Sequence, residues 1–203
     1  MFPLAKPYER IHLKALLVIA QPGFAEQTIT KSRFIAMAMQ CISEREVGAA
    51  LRAFAAQHPS AHHLAYAFRL KTEQGIIQRF SDAGEPSGTA GMPILKLIEG
   101  RELVNVCVAV IRYYGGINLG TGGLARAYGG TAKLALDAAK TSVFVEMQTV
   151  ALTIHYNQMD LMTRALAKCN GCILDKSFNE QVDLVVSLPI DEISGFLSRF
   201  LVK

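Results

Sequence analysis

No stretch of this sequence is apolar for long enough to span a membrane. The longest apolar run near the start, Ala15 to Ala20, falls far short of the roughly 20 residues a helical span needs. No small-residue cleavage site follows it, so neither an anchor nor a secretory signal is expected, and the reading is cytoplasmic. The four cysteines, Cys41, Cys107, Cys169 and Cys172, are too few and too scattered for a disulfide framework. Nucleotide-loop signatures are missing as well: no Gly-Lys-Ser/Thr follows a glycine-rich turn, and no G-x-G-x-x-G opens a helix. No serine sits in a nucleophile elbow, His12 and His155 stand alone, and no catalytic triad can be assembled. Cys169-Asn170-Gly171-Cys172 has no second ligand pair to complete a zinc site, and its place at a helix end suits a turn. No cofactor or metal is therefore expected. Internal repeats and low-complexity linkers are also absent.

What is present is half apolar, enough for real cores, with a net charge of +4. That charge is uneven. Residues 1–145 hold 16 Lys+Arg against 10 Asp+Glu, and residues 146–203 hold 5 against 7. A basic first part is compatible with a polyanionic partner such as RNA and equally with an ordinary solvated surface. At 203 residues the chain suits two small domains.

Periodicity gives the order of elements. Thr28 to Ile42 reads as a strand, and Ser43 with Glu46 has capping-box spacing before a helix over 44–57. His63 to Lys71 alternates, Gln74-Gly75 turns, and Ile76 to Phe80 returns as a hairpin. Ala90 to Ile98 reads as a buried helix, Leu103 to Tyr114 as a continuous apolar strand, and Leu124 to Ala139 as a helix. The pattern restarts after Thr141, which places a boundary near residue 145 and divides the chain into 1–145 and 146–203. Val150 to Tyr156, Met159 to Lys168, Cys172 to Phe178, Gln181 to Leu188 and Asp191 to Phe200 give β-α-β-β-α. That is a ferredoxin-like order whose last strand is short or missing. The fold class is α+β. The first 30 residues read as an extra strand or a mobile arm.

Eleven of the 16 glycines fall between Gly84 and Gly130, eight of them in two dense blocks. The first runs from Phe80 to Pro93 and holds Asp82 and Glu85. These carboxylates are candidates for an acid/base pair with His63 from a neighbouring strand; the competing reading has them cap the loop and the following helix. The second block, Arg112 to Leu124, holds Tyr113, Tyr114, Gly115, Gly116, Gly120 and Gly122. A glycine loop between a strand and a helix can cradle an anion, or can serve close backbone packing.

These blocks, with Lys31 to Ile35 and the His63 strand, resemble the IMPACT family over nearly the whole chain, from about Thr30 to Phe200. The resemblance implies a first domain like the second domain of ribosomal protein S5, and a ferredoxin-like domain like the last domain of elongation factor G. Ala83 stands where the family pattern carries a second acidic residue, which counts against a metal held by adjacent carboxylates. The expected function is a non-enzymatic binding protein that regulates translation through ribosome, RNA or translation-factor contacts. Lys31, Arg33, His63, Arg79, Arg112 and Arg126 would form a cationic surface, and the tyrosine pair would stack bases. A protein partner at the open edge of the C-terminal sheet is a further possibility. The alternative is a hydrolase or transferase acting on a small phosphorylated or peptide substrate through Asp82, Glu85 and His63.

Overall fold

The structure, a computed structural model, describes residues 15–200. Residues 1–14 of the N-terminal stretch, and residues 201–203 where any short final strand would fall, lie outside the described residues. The chain divides into two compact units, Met1–Phe144 and Val145–Lys203.

The first unit runs β1 (Leu17–Gln21), β2 (Gly23–Ile29), β3 (Ser32–Gln40), α1 (Glu44–Ala56), β4 (His63–Thr72), β5 (Gly75–Ser81), α2 (Gly91–Gly100), β6 (Val106–Tyr113), α3 (Gly120–Ala138) and β7 (Lys140–Val143). Five strands form one antiparallel sheet in the order β2-β3-β6-β4-β5. β1 and β7 pair separately as a two-stranded ribbon. The central strand β6 is apolar on both faces because both faces are covered. On one, Phe34, Ala36, Ala38, Ala65, Ala67, Val108 and Val110 meet α2 and α3. The alanines leave room for those helices to approach the sheet. On the other, Ile35, Met37, Ala109 and Ile111 meet Phe54 of α1, and Cys41 and Cys107 pack there as small apolar side chains against Val47, Phe68 and Leu70.

Two sequence expectations are corrected here. Thr28 to Ile42 is not one strand but the second half of a hairpin with its turn. Thr30 (φ 45°) and Lys31 (φ 64°) both sit in the left-handed region that a two-residue hairpin turn requires. Neither is Gly or Asn, so no turn signal was on display. The alanine-rich helix also begins earlier, at Gly120 rather than Leu124, so Gly120, Gly122 and Gly123 belong to its first turns and the connecting loop is only Tyr114 to Leu119. Ser43 caps α1 as its spacing predicts, accepting from the Glu46 N–H, while the Glu46 carboxylate reaches back to the Ile42 N–H.

The second unit comprises β8 (Met147–Ile154), α4 (Met159–Lys168), β9 (Cys172–Phe178), β10 (Val182–Pro189) and α5 (Ile193–Phe200). Its sheet has the order β8-β10-β9. One face is covered by Met162 and Leu166 of α4 and by Phe196 and Phe200 of α5. Asn170 ends α4 in the left-handed conformation (φ 56°), and the Gly171 N–H closes the end on the Leu166 carbonyl at 2.8 Å. Residues Tyr156 to Gln158, expected in part as strand, form a 3₁₀ turn instead.

Candidate functional site

Register across three strands builds the base of the site. Arg112 on β6 stands opposite Phe34 of β3 on one side and His63 of β4 on the other. An arginine on an apolar sheet face must be paired. Glu85 supplies the charge, at 2.7 Å from the guanidinium, with the two side chains only 5% and 4% exposed. The same carboxylate oxygen accepts from the Tyr128 hydroxyl of α3 at 2.8 Å. Burial, reinforced by that carboxylate, pushes the Tyr128 phenol far above its ordinary range. Arg112 also donates to the Ser32 hydroxyl at 3.3 Å. Its guanidinium lies 5.6 Å from the Phe34 ring and 5.1 Å from the Tyr114 ring.

The loop between β5 and α2 exists to deliver Glu85. The Asp82 carboxylate accepts from the backbone N–H groups of Gly88, Ala90 and Gly91 at 2.8, 2.9 and 2.8 Å. Burial acts to raise the Asp82 pKa, and these three donors outweigh it and hold the carboxyl below its usual range. Ala83 (φ 50°) and Gly84 (φ 86°) then turn through left-handed conformations. The Ala83 carbonyl meets His63 Nδ1 at 2.9 Å, and Glu85 enters the base beside His63 Nε2, 3.9 Å away. Asp82 thus organises the loop, and Glu85 pairs with Arg112.

Above this base opens a cleft of about 480 Å³, walled by His62, His63, Tyr114, Asn118, Gly120 and Thr121. Tyr114 leaves 38% of its surface exposed and its hydroxyl donates to Asn118 at 3.0 Å. The Tyr114 N–H donates to His62 Nδ1 at 3.2 Å, so the neutral His62 ring carries its proton on Nε2. His63 is the converse: a carbonyl can only accept, so Nδ1 holds a proton, and its Nε2 lies against the Glu85 carboxylate. The far wall is the start of α3, where Leu119 makes no side-chain cap and no acidic residue lies in the first turn. Its N–H groups remain available.

Of the residues singled out from sequence, His63, Glu85, Arg112, Tyr114 and Gly120 converge here. The others do not. Lys31 sits exposed in the hairpin turn, and its carbonyl abuts Gly115. Arg33 and Tyr113 point to the α1 face, where Arg33 pairs with Glu26 at 2.6 Å and the Tyr113 hydroxyl meets His58 at 3.0 Å. Arg79 pairs with Glu44 at 3.1 Å. Arg126 lies along a groove between α2 and α3. Gly116 (φ 82°) supplies a turn, and Gly122 is helical. Ser32, Asn118 and Thr121 lie within the motif blocks without being singled out, and His62 and Tyr128 carry no motif, since each needs the strand register or the helix phase to be placed. Among the described residues no three His, Cys, Asp or Glu side chains group so as to hold a metal ion. No helix among them is long and apolar enough to cross a membrane.

The model of the Impact N-terminal domain matches residues 30–136, a span that contains this whole site. The chain is 34% identical over 188 residues to IMPACT family member YigZ of Escherichia coli, covering 92% of each chain. It is 35% identical over 179 residues to an IMPACT family member of Haemophilus influenzae, covering 88% of this chain and 87% of that one. A crystal structure of a hypothetical protein aligns at 34% identity with a TM-score of 0.70, covering 91% of this chain and 90% of that one. The chain belongs to the IMPACT family.

Proposed function

We propose that this protein is a non-enzymatic binding protein that acts in the cytoplasm on the translation machinery, and that its cleft holds one unpaired RNA nucleotide. The observation that carries this reading is the exposed Tyr114 ring beside the uncapped start of α3. An aromatic face takes a base and helix N–H groups take a phosphate. His62, whose Nδ1 is taken by the Tyr114 N–H, adds an Nε2 donor for a base edge. The charged floor argues against hydrolysis. Asp82 is saturated by backbone donors, and Glu85 is committed to Arg112 and Tyr128, which leaves no carboxylate free to move protons. We also read residues 1–145 as the S5 domain 2-like unit and residues 146–203 as the ferredoxin-like unit, the order β8-β10-β9 being that fold without its last strand. On that reading the first unit is like part of a ribosomal protein and the second like part of a translation factor.

Ribosome and RNA co-sedimentation over a salt series tests the reading, with Tyr114→Ala as the informative variant. Binding that falls with salt and weakens about tenfold in Tyr114→Ala is expected, as one stacked base contributes roughly 1–3 kcal/mol. No binding at low salt, or binding indifferent to Tyr114, sinks it. A protein partner at the edge of β8 is a second reading, favoured because among the described residues β8 pairs only with β10. Proline substitutions across Gln148 to Leu152 would then abolish partner capture and leave RNA affinity unchanged.

A further inference from the structure

A second concavity lies on the same unit but outside this cleft. α2 and α3 pack side by side, and a groove of about 540 Å³ runs between them. Its floor is apolar and shallow for a definite reason. Gly129 and Gly130 lie at the middle of α3, and the Cβ that Gly129 lacks would meet only the Pro93 side chain, at an ordinary 3.5 Å. Met92, Pro93 and Leu97 of α2 line the facing wall, each half-buried. Above the floor stand three exposed cations, Lys96, Arg126 and Lys133. No carboxylate lines the groove; Lys133 shares its charge with Asp137 at 2.7 Å, one turn on.

We propose that this groove is a docking site for a protein segment in which one or two aliphatic side chains are flanked by carboxylates. Charge complementarity selects the sign of the partner: a rim of three cations without a lining anion favours acidic residues. The floor selects its class. It holds no aromatic ring on which a base could stack and no Asn, Gln, Ser or Thr to read a base edge, in contrast with the Tyr114 cleft. Methionine, proline and leucine beside bare helix backbone suit aliphatic side chains, and the flexible thioether of Met92 adapts to their shape. Arg126 and Lys133 are seven residues apart, two turns of helix and roughly 10 Å. The segment in contact is therefore short, about three residues if extended.

The test pans a phage-displayed library of random 12-residue peptides on the whole chain, with counter-selection on the Gly129→Leu variant, whose side chain fills the groove. Selected sequences should carry Leu, Ile or Met flanked by Asp and Glu. The most enriched peptide, synthesised with a fluorescein label, should bind at least tenfold more weakly to Lys96→Glu/Arg126→Glu and to Gly129→Leu by anisotropy. Both variants should keep the wild-type thermal midpoint, and Gly129→Leu should keep the wild-type affinity for a uridine octamer. No enrichment, enrichment of basic or aromatic sequences, or peptide binding indifferent to the variants overturns the proposal. Loss of octamer binding in the charge-reversed variant with peptide binding intact would also overturn it, by making the groove a nucleic-acid surface. Because the cleft and the groove share no lining residue, failure here leaves the Tyr114 reading standing, and the reverse holds equally.

Discussion

Arg112 and Glu85 meet at 2.7 Å beneath the cleft, both almost wholly withdrawn from water. Ser32 accepts a further hydrogen bond from Arg112 and Tyr128 donates one to Glu85, while the buried Arg112 Nε has no partner. Removing one partner of a buried pair leaves the other charge unpaired in a poor solvent, which costs about 3–5 kcal/mol. Arg112→Met should therefore lower the urea midpoint sharply, and Glu85→Gln in the same chain should recover much of the loss. If Arg112→Met unfolds like the wild type, the pair is not structural. Arg112 is accordingly a poor probe of ligand binding, because a folding defect would imitate a binding defect.

Gly115 and Gly116 are neighbours with different obligations. A Cβ on Gly115 would lie 2.1 Å from the Lys31 carbonyl oxygen and 2.6 Å from the Ser32 backbone nitrogen. Neither backbone atom can move without distorting the β2–β3 hairpin. A Cβ on Gly116 meets nothing within 4 Å, and only its φ of 82° opposes substitution. Gly116→Ala should cost about 1–2 kcal/mol, the ordinary penalty for a left-handed residue. Gly115→Ala should cost about 3 kcal/mol, from overpacking against backbone. Thermal unfolding of the two variants side by side checks the order, and equal losses would show that the hairpin yields.

Much of this architecture could be read from periodicity. The hidden β6 strand, the α1 cap at Ser43 and the order β-α-β-β-α of the second unit all follow from patterns local to a few residues. The Thr30-Lys31 turn did not, because neither residue advertises a left-handed backbone. The first turn of α3 did not either, because three glycines in four residues read as loop and only packing against the sheet makes them helix. Site residues divide the same way. The dense block around Asp82 marked a loop with two carboxylates and left open whether they cap it or act on a ligand. Which one faces inward depends on Ala83 and Gly84 turning the chain, and on Arg112 waiting in register on β6. Tyr128 and His62 carry no local signal at all.

His62 and His63 should hold opposite tautomers. His62 Nδ1 accepts from the Tyr114 N–H at 3.2 Å, and His63 Nδ1 donates to the Ala83 carbonyl at 2.9 Å. Long-range ¹H–¹⁵N correlation spectra at pH 8.5 should show the proton on Nε2 of His62 and on Nδ1 of His63. Two identical tautomers would mean that one of these two backbone contacts does not set its ring.

Asp82 ties the loop to acid stability. Its pKa is lowered in the folded chain because the N–H groups of Gly88, Ala90 and Gly91 outweigh the effect of burial. The unfolded chain keeps the ordinary aspartate value, about 3.9. A carboxyl whose folded pKa lies below its unfolded one stabilises the fold fully above the unfolded value, and loses that contribution as the pH falls through the folded value. Asp82→Asn preserves shape but turns an amide donor toward backbone donors. At pH 7 it should cost about 1–2 kcal/mol, the worth of hydrogen bonds to a charged group discounted for the partial exposure of this side chain. The gap between wild type and variant should narrow from about pH 4 downward, because the wild type alone gives up a charge. Urea midpoints of both proteins from pH 7 to pH 2.5 measure it. A gap constant across that range would mean that the carboxylate holds the loop by shape alone, and that Glu85 reaches Arg112 without its help.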